Sequence, residues 1–112
     1  MRKVDELKLQ ISQHIRNSEE YKEYRRLQNE INRMPDLKRQ VDEFRRQNFE
    51  MQNSPDIQDM YSAMAELNER FADMRKQDIV NRYLTAEIIF CSYIRDIHKA
   101  VAEAADIELD FL

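Results

Sequence analysis

The 112-residue chain contains no glycine and no tryptophan, only two prolines and a single cysteine. Each shortage excludes something. Phosphate-cradling loops, type I′ hairpins and nucleophile elbows depend on backbone conformations that glycine adopts cheaply, so Walker, Rossmann and hydrolase-elbow readings are nearly excluded. One cysteine cannot form an internal disulfide, which agrees with a reducing compartment. No apolar run approaches the ~18 residues of a membrane span, and Met1-Arg2-Lys3 leads into a charged amphipathic pattern with no signal-peptide core. A cytoplasmic chain with no membrane partner is the expectation.

What is present points to helices. Charged residues make up 36% and hydrophobic residues 42%, which suits a folded helical protein with a solvated exterior better than a disordered chain. The length suits one domain over 1–112. Val4, Leu7, Ile11 and Ile15 recur at helical spacing, Asn17 or Ser18 can cap a second helix, and Tyr21, Tyr24, Leu27 and Ile31 line its face. Pro35 opens a third helix, and Ser54-Pro55 repeats that punctuation for a fourth. The pattern predicts an all-α chain of about five amphipathic helices, near 3–16, 18–33, 35–53, 55–76 and 78–106, in an antiparallel bundle-like arrangement. A break is expected at Lys76 to Asp78; one continuous rod from Pro55 onward is the alternative.

The last helix differs from the others. Val80, Tyr83, Phe90, Ile94, Ile97, Val101 and Ala104 form one stripe, Leu84, Ile88 and Cys91 a second, and Ile79, Ala86, Ile89 and Tyr93 fill more of the circumference. A helix apolar on most sides must be covered on most sides. A second copy of the chain is the simplest cover, so Leu84, Glu87, Ile88, Ile89, Phe90, Tyr93 and Ile94 are the candidate oligomer or partner interface. Beyond this helix, Ile107 to Leu112 alternates apolar and acidic residues, a tail expected either to fray or to dock on a partner.

Chemistry is harder to find. A di-iron bundle needs Glu-x-x-His pairs, and the chain has none; His14 and His98 stand apart with no metal-ligand spacing. Cys91 lies in Ile88-Ile89-Phe90-Cys91 and is expected in the core, where burial blocks access to a thiol. No catalytic residue, metal or cofactor is expected, and the chain is read as not an enzyme. Glu87 interrupts the apolar stripe, which predicts either a structural ion pair or snorkelling contact, or a register-fixing recognition element. Basic doublets at Arg25-Arg26, Lys38-Arg39 and Arg45-Arg46 concentrate between Lys22 and Arg46, with acids interleaved and a chain charge of −4. A solvated face is the main reading; direct RNA binding is the alternative.

The Asn17-Ser18-Glu19-Glu20-Tyr21 entry, the Met34-Pro35-Asp36-Leu37 start with Val41 and Phe44, and above all Tyr83-Leu84-Thr85-Ala86-Glu87-Ile88-Ile89-Phe90 resemble the YlbF/YmcA family of small bacterial helical proteins, including its YheA-like members. The resemblance spans nearly the whole chain. It implies an all-helical, oligomer-forming cytoplasmic regulator that acts with other regulatory proteins in competence, sporulation and biofilm control, some members through an endoribonuclease complex that alters RNA maturation. The better-known complexes are linked to iron-sulfur clusters on cysteine thiolates. This chain departs there, because Cys91 alone cannot supply four thiolates. The expected function is therefore a non-enzymatic regulatory or adaptor protein working through helical contacts, with direct nucleic-acid binding as the runner-up.

Overall fold

The computed structural model describes residues 2–54 and 59–105, and the regular structure among them is entirely helical: α1 (Lys3–Asn17), α2 (Glu19–Asn32), α3 (Pro35–Gln52), α4 (Met60–Arg70), α5 (Ala72–Arg75) and α6 (Asp78–Ala104). The expected helix start at Pro55 and the alternating tail Ile107 to Leu112 lie outside the described residues. Local chemistry sets the boundaries. The Ser18 hydroxyl accepts from the Tyr21 amide at 3.2 Å and donates to the Ile15 carbonyl at 2.6 Å, closing α1 and opening α2 with one side chain. Pro35 occupies the first turn of α3, preceded by Met34 at φ −122° and ψ 77°, outside helical angles as a pre-proline residue prefers.

The fourth helix departs from expectation. Asp59 is extended at φ −127° and ψ 95°, and its carboxylate accepts from the Ser62 amide at 3.2 Å and the Ser62 hydroxyl at 2.7 Å, so the helix begins at Met60. Both hydrogen bonds hold the Asp59 carboxyl below its ordinary range. A single helix to residue 76 is also not found. Phe71, at φ −109° and ψ 20°, separates α4 from the one-turn α5, and its ring meets Phe44 edge-on at 5.4 Å. The expected break before Asp78 is present, and the single-rod alternative is not.

Contacts divide the chain into two compact units, Leu27–Tyr83 and Met1–Arg26 with Leu84–Leu112. Unit Leu27–Tyr83 holds most of the core. Leu27, Ile31, Leu37, Val41, Met51, Leu67, Met74, Val80 and Tyr83 are buried, and α3 packs against α4 and α5. Cations cover its aromatic rings: Arg75 stands 5.3 Å over Phe44, and Arg45 stands 5.0 Å over Tyr83.

The other unit is built differently. No residue of α1 is buried, and only Ala86 and Ala102 are buried in its portion of α6. Its packing centre is aromatic: the Phe90 ring lies 5.7 Å from Tyr21, 5.4 Å from Tyr24 and 6.4 Å from Tyr93. Two substitutions separate core from surface. Leu27→Ala should cost about 2–5 kcal/mol in urea unfolding because it empties a sealed site, whereas Leu9→Ala, on exposed α1, should stay within about 0.5 kcal/mol. Equal costs would contradict this division.

Candidate functional site

Among the described residues the exposed aliphatic side chains lie on α1 and on the part of α6 from Leu84 onward, while Met34, Phe49, Met60, Tyr61 and Met64 are exposed in the other unit. On α1 the stripe Val4, Leu7 and Ile11 forms as its spacing predicts, yet all three residues remain exposed. Leu7, Ile11 and Ile15 face Ile97 across an open groove of about 360 Å³, with Gln10 and His14 at its edge. Sequence reasoning assigned this stripe to the helix without marking it as a surface. Amphipathic spacing identifies a face, and says nothing about whether anything covers it.

The seven α6 candidates divide between packing and exposure. Phe90 and Tyr93 are half-buried in the aromatic cluster with α2, so they anchor the helix more than they present it. Leu84 and Glu87 are also half-buried, and Glu87 has an interaction partner. Ile88, Ile89 and Ile94 are 69%, 51% and 36% exposed, and these three form the open apolar part. Ile88 and Ile89 join Glu20, Ser92, Tyr93 and Asp96 around a second groove of about 380 Å³. The Tyr93 hydroxyl is buried and has no hydrogen-bond partner among the described residues.

Cys91 corrects the core expectation: it is exposed. The run Ile88-Ile89-Phe90-Cys91 looks buried when read as a line, but a helix turns about 100° per residue and sends each side chain in a different direction. Phe90 takes the direction occupied by the α2 tyrosines, and Cys91 points elsewhere. His14 and His98 are exposed as well. Among the described residues no three His, Cys, Asp or Glu side chains gather as a metal ion would need, and no helix is long and apolar enough to cross a membrane.

Five of the six residues in the basic doublets pair with carboxylates on their own helices. Arg26 bonds Glu23 at 2.7 Å, Lys38 bonds Asp42 at 2.7 Å, Arg39 bonds Asp36 at 3.1 Å, and Arg45 lies 3.6 Å from Asp42. Arg46 sits between Glu43 and Glu50. Such exposed i,i+3 and i,i+4 pairs add little stability individually. Their effect here is to cancel positive potential where a phosphate backbone would need it. The Arg46 hydrogen bond, followed by that of Gln47, lowers the Glu43 carboxyl from 4.5 to about 2, so it stays charged throughout the neutral range.

That depressed carboxyl sets a pH dependence. Because the folded-state value lies below the ordinary one, the contribution of Glu43 is present above about pH 4.5 and is lost as pH falls toward about 2. The stability difference between wild type and Glu43→Gln should therefore close over that window in denaturant titrations followed by circular dichroism. A difference independent of pH would contradict the pairing.

No curated protein and no solved structure matches the chain. A family model described as "Control of competence regulator ComK, YlbF/YmcA" matches residues 4–105. That match runs from the exposed stripe of α1 through the end of α6, so both grooves lie within it, and the chain belongs to the YlbF/YmcA family of competence regulators.

Proposed function

We propose that this protein is a non-enzymatic cytoplasmic adaptor within its regulatory family, working by offering helical surfaces to other proteins, beginning with a second copy of itself. The observation that carries this reading is the exposure of Ile88 and Ile89 beside a half-buried Leu84 on the longest helix. Contiguous apolar patches beyond a few hundred Å² are uncommon on soluble monomers and mark interaction sites. The family's place in control of ComK calls for protein partners, and an endoribonuclease complex that alters RNA maturation is the partner we favour. In this role the chain contacts protein, and RNA is reached through the complex. The neutralised arginine doublets favour protein contact over direct RNA contact.

Ile88→Glu tests the reading without disturbing the core, because Ile88 is mostly solvent-facing in the single chain. Light scattering on wild type should give at least twice the chain mass of 13.6 kDa at micromolar concentration. The variant, with unchanged helicity, should return to the mass of one chain and lose co-purification with the endoribonuclease. A wild-type mass of one chain, or an oligomer and complex indifferent to the new charge, would overturn the proposal.

A further inference from the structure

Counted outward from Cys91, the exposed side of α6 is symmetric in character and opposite in charge. Three residues away on either side lie Ile88 and Ile94; four away lie Glu87 and Arg95; seven away lie Leu84 and His98. Offsets of three, four and seven return to one face of a helix. Cys91, Ile88, Ile94, Arg95 and His98 are exposed there, and Leu84 and Glu87 are half-buried. Arg95 also breaks the rule followed by the doublets. Its neighbours three and four positions away are Ser92, His98, Cys91 and Lys99, and no ion pair holds it among the described residues.

We infer that this face pairs antiparallel with the same face of a second copy, about a two-fold axis passing at Cys91. The inference rests on the self-association reading above and adds its geometry. In a two-fold contact, residue i meets residue j while j meets i. Antiparallel alignment about Cys91 sets Glu87 level with Arg95 of the second copy, twice over, and Ile88 level with Ile94 of the second copy, also twice. Leu84 falls level with His98, and the two thiols meet on the axis. Parallel alignment in register would instead set Arg95 against Arg95 and Glu87 against Glu87, which like-charge repulsion opposes. Glu87 also makes an interaction within its own chain.

The test uses the full chain. Diamide should convert wild type to a disulfide-linked dimer, two thiols losing two protons and two electrons as the reagent's N=N bond is reduced to a hydrazine. A Cys91→Ser chain carrying Ser12→Cys on exposed α1 measures the collisional rate, and wild type should cross-link at least tenfold faster. Arg95→Glu, at an exposed position, should raise the dimer dissociation constant by about tenfold or more, and adding Glu87→Arg should restore it. Cys91→Ser alone should remain a dimer by light scattering. A dimer that cross-links no faster than the control, with a dissociation constant unmoved by Arg95→Glu, would overturn this register while leaving self-association intact. A wild-type chain monomeric at all concentrations would overturn both.

Discussion

Helix α6 carries more apolar surface than α1 and the first part of α2 cover, and the character of this half of the protein follows from that imbalance. Hydrophobic burial is the main favourable term in folding. Here it is concentrated in the unit Leu27–Tyr83, where Val41, Ile31 and Val80 are fully sealed. The other unit contains an aromatic cluster around Phe90, two buried alanines and a set of open isoleucines. Such a surface is costly to leave in water and is stabilised by whatever covers it. On the reading proposed above, this uncovered face is the part of the protein that meets its partners.

Electrostatics supports the same division of labour. Along α2 and α3 most cations lie three or four residues from a carboxylate on the same helix, so their charge is spent locally. The pairs add solubility and modest helix stability. Arg95 stands apart from this arrangement: it is exposed on the α6 face that carries Ile88 and Ile94, and no ion pair holds it among the described residues.

Much of the fold was legible because its signals are local. Ser18 and Pro35 act through hydrogen bonds and dihedral limits that span only a few residues, and the helices begin where those residues require. Asp78 is the first residue of α6, an acid in the first turn where the helix dipole favours it. The break at Phe71 was not legible, since the three-four alternation runs through Phe71 to Met74 without interruption; the edge-on contact with Phe44, twenty-seven positions away, is a tertiary feature. Cys91 was misplaced because apolar neighbours in sequence were taken for neighbours in space. The α1 stripe was found and its exposure was not, because spacing defines a face and only the rest of the structure decides whether it is covered. The seven α6 candidates were a mixture for the same reason: aromatic partners on α2 claimed Phe90 and Tyr93 and left Ile88 and Ile89 open.

If a second copy completes this unit, association and folding must be linked, and the folded state must gain stability with protein concentration by mass action. The most direct measurement is the thermal midpoint followed by circular dichroism across a hundredfold range of chain concentration, from about 1 to about 100 μM. The midpoint should climb steadily over that range in wild type and stay flat in Ile88→Glu. A wild-type midpoint that does not move, with reversible unfolding, would contradict the claim that another copy of the chain covers the open face of α6.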